Sequence, residues 1–397
     1  MAHMRAAPGA GKSTKRIAMI TQDFPPEIGG IQTYAFELAK RLGSYYQNFE
    51  VLAPHKPGAA QLDKEQPFYT KRLKISNNML PIRAMVGVPR WIDHKNWDAI
   101  FHTQWQTLPS SLLARRKGWK GNIWVAAHAR ELLFNPYGSI PLMSGAFQAY
   151  RRRVLKAVDH FFPVSTYTAG LLGRLGVEES RMSVVHNGTS TERFYPANAS
   201  GLKKSLHLQD KKLIFSLSRL VPRKGIDTVI EAMKDIARHH PEAHYLILGE
   251  GPDRSRLKQL VNRYQLNGHI SFMGHVPDRE LNSYYNLADL FVMPSRANGY
   301  EVEGFGLVFL EANACGKPVI GSRTGGIPDA IVDGQTGYLV PESSPDVLAK
   351  YVCELFDDPE KMRRMGQNGL KHVKESATWD HVADQMVNKM DSLLAGS

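Results

Sequence analysis

Short apolar runs alternate along this chain with segments whose apolar residues recur at helical spacing. The first run, Ile17 to Thr21, reads as a strand. After Gly29-Gly30 the apolar positions Ile31, Ala35, Leu38, Ala39 and Leu42 fall on one helical face. Further strands are predicted at Phe49 to Ala53, Ala99 to Thr103, Ile123 to Ala127 and His160 to Val164. A second series begins near Lys212, with strands at Leu213 to Ser218, Ala243 to Leu248, Ile270 to Met273, Leu290 to Met293 and Val319 to Gly321. Helices intervene, including Gly225 to His239 and Asp253 to Asn262. This alternation predicts parallel α/β architecture. The stretch Phe194-Tyr-Pro-Ala-Asn-Ala-Ser-Gly201 is linker-like. The expected organisation is a tail over 1–15, either disordered or vector-derived, then two Rossmann-like doubly wound domains over 16–195 and 196–375 facing a central cleft. A last helix over 376–397 is expected to pack back on the first domain. Residues 55–90, rich in Pro, Lys and Gln, read as a loop over an acceptor site. Ligands of such sheets sit beyond the carboxyl ends of the strands.

With 43% hydrophobic and 22% charged residues, the chain has the composition of an ordinary soluble protein long enough for two cores. No run is long and apolar enough for a membrane span, and the basic, polar start does not read as a signal peptide. Two cysteines, Cys315 and Cys353, make no disulfide framework and fit a reducing compartment. No Cys/His cluster has zinc spacing. The net charge of +12 is unevenly spread. Residues 1–190 hold 25 Lys and Arg against 12 Asp and Glu, and the remainder holds 25 against 26. Clusters at Lys71-Arg72-Leu73-Lys74, Arg115-Arg116-Lys117 and Arg151-Arg152-Arg153 predict a basic face for anionic lipid or nucleic acid, or a merely solvated one. The segment Ala6-Ala-Pro-Gly-Ala-Gly-Lys-Ser13 matches a loose phosphate-loop pattern, but no strand precedes it and a strand rather than a helix follows.

The chemistry concentrates in Glu303-Gly-Phe-Gly-Leu-Val-Phe-Leu-Glu311. Leu307 to Ala314 reads as a helix stopped by Gly316 and Pro318. That places Glu303 in a loop and Glu311 on the helix, roughly 12 Å apart at helical rise. The separation is about the reach from a sugar ring across a diphosphate to a ribose. Backbone N–H groups at Gly304, Phe305, Gly306 and Leu307 would favour an anion between them. Ser218-Arg-Leu-Val-Pro-Arg-Lys-Gly225 puts Arg219 and Lys224 in a loop feeding a helix, suited to a diphosphate leaving group.

These residues resemble the E-x7-E signature and the S-R-L-x-x-x-K-G segment of retaining GT-B glycosyltransferases of family 4, and the resemblance covers about residues 16–390. The form Arg296-x6-Glu303-Gly304 is similar to that of phosphatidylinositol mannosyltransferases and their relatives. The resemblance implies that Arg219 and Lys224 hold the donor diphosphate, Glu303 the sugar hydroxyls and Glu311 the ribose. Pro25-Pro-Glu-Ile-Gly-Gly-Ile31 resembles the loop whose main chain, at Gly29 and Gly30, meets diphosphate and acceptor. Ala127-His-Ala-Arg-Glu131 resembles the H-x-x-E segment, with His128 toward sugar or acceptor and Glu131 in the cleft. Ser165 and Asn187 match further cleft positions. Gly249 and Gly251 match the turn below the base, and His275 and Val276 the turn that recognises it.

The implied reaction is retaining, metal-independent hexosyl transfer from a UDP- or GDP-sugar to a hydroxyl acceptor, a lipid-linked or glycan precursor, by a front-face path without a cofactor. No Asp-x-Asp pair follows a strand as in metal-dependent transferases. A cytoplasmic location, peripheral on the inner membrane face and without nucleic acid, is the matching expectation. The rival readings are another GT-B sugar-nucleotide enzyme, such as an epimerase or glucan phosphorylase, and a basic nucleic-acid-binding protein.

Overall fold

The computed structural model describes residues 13–74, 88–89, 91–92 and 94–396. The first sheet is built from β1 (Ser13–Ile20), β2 (Tyr46–Pro54), β3 (Tyr69–Leu73), β4 (Ala99–His102), β5 (Asn122–Ala127) and β6 (His160–Pro163). Their order is β3-β2-β1-β4-β5-β6, all parallel. The second holds β7 (Lys212–Leu217), β8 (Ala243–Leu248), β9 (Ile270–Gly274), β10 (Leu290–Met293), β11 (Val319–Ser322) and β12 (Gly337–Val340). Its order is β12-β11-β10-β7-β8-β9, again parallel. In each sheet the order reverses about the first strand formed, and a crevice opens there beyond the carboxyl ends.

Alternate residues of a strand serve opposite faces. Ile17 and Met19 join a core that runs through both lobes, whereas Ala18 and Ile20 join a second core on the other face of their sheet. A third core, holding Ile214, Ile247 and Val292, covers the outer face of the second sheet. Its main lid is the helix Ile226–His239, which buries Val229, Ile230 and Met233.

Three sequence readings are corrected. Ser13 to Lys15 belong to β1 rather than to a tail, and the rest of the tail with its phosphate-loop pattern lies outside the described residues. The 55–90 segment contains a short helix, Ala59–Lys64, and the edge strand β3. Edge strands carry polar and charged residues, and Tyr-Thr-Lys-Arg-Leu lacks the apolar run used to find strands. Residues 75–87 of that segment lie outside the described residues. The edge strand β12 was not expected either.

The final helix, Trp379–Ala395, lies on the first lobe. Trp379 packs edge-on against Tyr34. Arg41 pairs with Asp380 at 2.5 Å, and Tyr45 and Tyr46 both donate to Asp391, at 2.7 and 2.9 Å. The chain therefore crosses between lobes twice, and the crossings touch. Thr189 N donates to Ala377 O at 2.9 Å, and Trp379 N donates to Thr189 O at 3.3 Å. A Cβ on Gly188 would lie 2.6 Å from the Thr378 carbonyl carbon, so only glycine permits this approach.

Candidate active site

After β7 the backbone turns through Gly225 into the helix Ile226–His239. Gly225 has φ 70°, and a Cβ there would stand 2.0 Å from Pro294 O. Only glycine fits, and the turn delivers Arg223 and Lys224 to the strand ends. Lys224 Nζ donates to Glu303 Oε2 at 2.5 Å and Arg223 at 3.1 Å. Burial works against the Glu303 charge, but the Lys224 and Arg223 cations outweigh it and hold the carboxyl at about 2. The same burial lowers the Lys224 ammonium, opposed by Glu303. Arg219 lies on the exposed side of this loop. The structure thus brings Glu303 onto Lys224 and adds Arg223 to the set. Arg296 is engaged elsewhere, pairing at 2.7 Å with Asp227, which also takes Arg256 at 3.0 Å.

Gly306, with φ 99°, leads into the helix Leu307–Ala314. Glu311, in that helix, accepts from Tyr285 OH at 2.6 Å. Burial raises its carboxyl, with the Tyr285 hydrogen bond opposing. Gly249 and Gly251 support the Ser218–Leu220 turn. Their Cβ positions would fall 1.9 Å from Ser218 O and 2.2 Å from Leu220 O. In the neighbouring turn His275 is exposed and Val276 buried.

The first lobe presents the ends of β1, β4 and β5. His128 is buried against Tyr34, ring centroids 4.9 Å apart. Desolvation lowers it to about 4, opposed by a hydrogen bond to the Thr103 backbone. The ring is neutral at physiological pH, and its Nε2 has no hydrogen-bond partner among the described residues. Glu131 caps the helix Ala129–Leu133, accepting from His128 N at 2.5 Å. Burial pushes it up to about 8, opposed by the backbone hydrogen bonds. Its observed contact is therefore a helix cap, a buried position at the edge of the cleft. Beside them Asp23 accepts from Gln32 at 3.1 Å, and burial raises its carboxyl against a Gln104 hydrogen bond. The buried Gln104 Oε1 is unpaired among the described residues.

The lobes meet at this corner. A Cβ on Gly304 would lie 3.5 Å from Ala129 N, and one on Gly30 would lie 3.9 Å from the Leu307 side chain; Gly29 precedes it at the helix cap. Gly326 packs so closely that a Cβ would lie 2.0 Å from Gly304 O and 2.9 Å from Ser165 Oγ. Asp329 crosses to the first lobe, accepting from Thr166 N at 2.6 Å and from Thr166 Oγ1 at 2.7 and 2.8 Å. Asn187 is buried beside the hinge, with its Oδ1 unpaired among the described residues. The reading from sequence missed Arg223, Tyr285, Asp329, Asp23 and Gln104. Only Arg223, adjacent to Lys224, carried a local signal.

The predicted basic face is narrowed: Lys74, Arg116, Lys117, Arg152 and Arg153 are exposed, but three arginines of the same clusters are not free. Arg151 is buried, donating to Leu132 O at 2.7 Å and Phe134 O at 3.2 Å. Arg115 pairs with Asp159 and caps Ala157 O and Gly121 O, each at 3.0 Å. Arg72 holds Asp63 at 2.7 Å and Pro25 O at 2.9 Å. These cations bind the protein itself.

Residues 28–193 match the family model Glycosyltransferase Family 4, and residues 201–372 match Glycosyl transferases group 1. The chain is 32% identical over 383 residues to a GDP-mannose-dependent alpha-(1-6)-phosphatidylinositol monomannoside mannosyltransferase of Mycobacterium tuberculosis, covering 94% of this chain and 97% of that protein. The namesake of Mycolicibacterium smegmatis is 31% identical, covering 91% and 94%. Among solved structures, sucrose-phosphate synthase of Thermosynechococcus elongatus superposes with a TM-score of 0.78 at 23% identity, covering 96% of this chain and all of the other. HepE of Anabaena, solved with UDP, gives 0.78 at 18% identity, covering 95% and 100%.

Proposed function

We propose, since this chain belongs to glycosyltransferase family 4 and is a GT-B hexosyltransferase using sugar nucleotides, that it moves mannose from GDP-mannose to a hydroxyl of a lipid-linked acceptor with retention and without a metal. The observation that carries the reading is Glu303, fixed by Lys224 and Arg223 at the foot of the Leu307–Ala314 helix, with Glu311 further along that helix. Among the described residues both hydrogen bonds to the Glu303 carboxylate fall on Oε2, which leaves Oε1 for sugar hydroxyls.

In the reaction the anomeric C–O bond to phosphate breaks as the acceptor oxygen bonds to the same carbon on the same face. The acceptor proton passes to the departing phosphate oxygen. Arg219, Lys224 and the N–H groups at Gly306 and Leu307 stabilise the charge that develops there, an electrostatic role that asks nothing of a metal. Glu311 takes the ribose through the oxygen not bonded to Tyr285. His128 Nε2, neutral and unpaired, accepts from a sugar or acceptor hydroxyl. GDP-mannose is the donor named for the mycobacterial relatives, and the phosphatidylinositol mannoside in those names makes a lipid acceptor the first to test. A nucleic-acid role would leave the Glu303, Lys224 and Arg223 cluster and Glu311 without an account.

Calorimetry with GDP and radiochemical transfer from GDP-mannose test the reading. Arg219→Ala should lose most of the GDP affinity. Glu303→Gln should lower turnover about 10²-fold or more with GDP affinity undiminished, since Lys224 is released to phosphate. Transfer should persist in EDTA. A Glu303→Gln protein that binds GDP as poorly as Glu311→Gln would refute the division of roles.

A further inference from the structure

The segment that leads from β10 into Glu303 crosses from one lobe to the other. Its start is fastened to the second lobe. Arg296 N donates to Arg223 O at 2.8 Å, the Arg296 guanidinium holds Asp227, and Ala297 N donates to Glu342 at 3.3 Å. The chain then doubles back about Gly299, at φ 60°, with Asn298 and Glu301 exchanging backbone hydrogen bonds of 2.9 and 3.0 Å. Its far end is fastened to the second lobe as well. Glu303 O accepts from Gly326 N at 2.9 Å, and the Glu303 side chain turns to Lys224 and Arg223. Between these two anchorages Tyr300 and Val302 reach across to the first lobe.

Val302 is 6% exposed and sits in a core whose other buried members, among the described residues, all lie between Ala18 and Val177 of the first lobe. Tyr300 sets its ring edge-on to Phe134, centroids 5.0 Å apart. Phe134 is firmly mounted. Its N–H donates to Arg130 O at 2.9 Å, and its carbonyl accepts from the buried Arg151 at 3.2 Å. The helix that ends at Phe134 begins at His128. The crossing therefore runs from the carboxylate of Glu303 to the helix of His128, the two groups assigned to the sugar. It is graded from solvent inward, with a half-exposed aromatic pair outside and a buried apolar plug within. One valine and one ring contact make a joint small enough to part for donor entry and product release. Fixed in place, they leave no open water path on that side.

We propose that Tyr300 and Val302 are positioning residues that seal the Glu303 side of the cleft against the first lobe, and so decide whether the sugar passes to the acceptor or to water. This rests on the mannosyl-transfer reading and names the residues that protect it. Closing a site over a reactive sugar prevents hydrolysis. In the leak that the seal prevents, a water oxygen bonds to the anomeric carbon as the bond from that carbon to phosphate breaks. One water proton goes to the departing phosphate oxygen and the other stays on the new hydroxyl, giving GDP and free mannose. Neither Tyr300 nor Val302 touches the reacting atoms in this account. They act by holding the Glu303 segment on the helix of His128.

The test follows radiolabelled GDP-mannose into free mannose and into acceptor product, with hydrogen exchange over residues 129–134 and 300–304 measured in GDP. Tyr300→Ala removes the ring contact. Val302→Thr keeps the shape of the plug but puts a hydroxyl into an apolar core. Each should raise the ratio of free mannose to transferred mannose at least tenfold and speed exchange in both stretches. GDP affinity by calorimetry should stay at the wild-type level, which shows that each variant is folded with its donor site intact. Tyr300→Phe keeps the ring and should restore the wild-type ratio. Wild-type ratios and exchange in both Tyr300→Ala and Val302→Thr would overturn the proposal, and so would a fall in transfer with no gain in free mannose. Wild-type protein that leaves GDP-mannose intact, while both variants speed exchange, would count against mannose as the sugar and uphold the seal.

Discussion

Glu131 and His128 are neighbours that burial pushes toward neutrality from opposite sides, Glu131 to about 8 and His128 to about 4. For Glu131 the folded value lies above the unfolded one, about 4.3. Its contribution is complete below that value and is lost as pH rises through about 8. His128 has its folded value below the unfolded one, so its contribution is complete above about 6.5 and is lost as pH falls toward 4. Glu131→Gln keeps an acceptor for His128 N but cannot ionise. Its unfolding free energy should therefore gain on wild type between pH 5 and pH 8, by up to about 1.4 kcal/mol for each pH unit, and its melting temperature should rise relative to wild type in step. A gap independent of pH would show that Glu131 stays ionised in the fold. At this scale the sequence exposed what sits in glycine-punctuated loops after strands, which is why Glu303, Glu311, Lys224 and His128 were legible. It did not expose Tyr285 or Gln104, whose partners come from other elements.

Between elements, the N-terminus of the helix Thr166–Arg174 carries the bridge from one lobe to the other. Ser165 caps it internally through Thr168 N, and Asp329 from the second lobe takes Thr166 N and Oγ1. A carboxylate at a helix N-terminus is stabilised by the dipole and by charge-assisted hydrogen bonds, about 1–3 kcal/mol together. Asp329→Ala should make the closed arrangement about tenfold less favoured. The radius of gyration in GDP should rise in small-angle scattering, and the donor KM should rise more than kcat falls. An unchanged radius and KM would demote the contact to a passive one. Strands β1, β2 and β4 to β11 announced themselves as apolar runs. The edge strand β3 did not, because one open side lets Lys71 and Arg72 stand where a central strand needs apolar residues, whereas β12, Gly337 to Val340, is apolar and buried and was simply not read as a strand.

In the whole molecule, the second lobe leaves and re-enters the first through two touching segments at Thr189 and Thr378. Trp379, 2% exposed against Tyr34, pins the returning segment. Trp379→Ala should cost about 3–5 kcal/mol, read as a lower unfolding midpoint for the first lobe. A single unshifted transition would show that the final helix adds nothing to it. The two-lobed plan was legible because the strand–helix rhythm restarts near Lys212. The adhesion of the last helix to the first lobe depends on Asp380 and Asp391 meeting Arg41, Tyr45 and Tyr46, pairings that no local pattern records. The same return has a topological consequence. Ser13 lies in register with Tyr46, and Tyr46 holds Asp391, so both ends of the described chain rest on one lobe. The other lobe is in effect an inserted cassette whose two seams lie side by side at Gly188 and Thr378. Exchanging that cassette between relatives should carry nucleotide preference with it while the first lobe stays whole, and a short tether between Ser13 and Asp391 should permit circular permutation. Fluorophores placed at Ser13 and Asp391 would ride on the same body and report nothing of the lobes' relative motion.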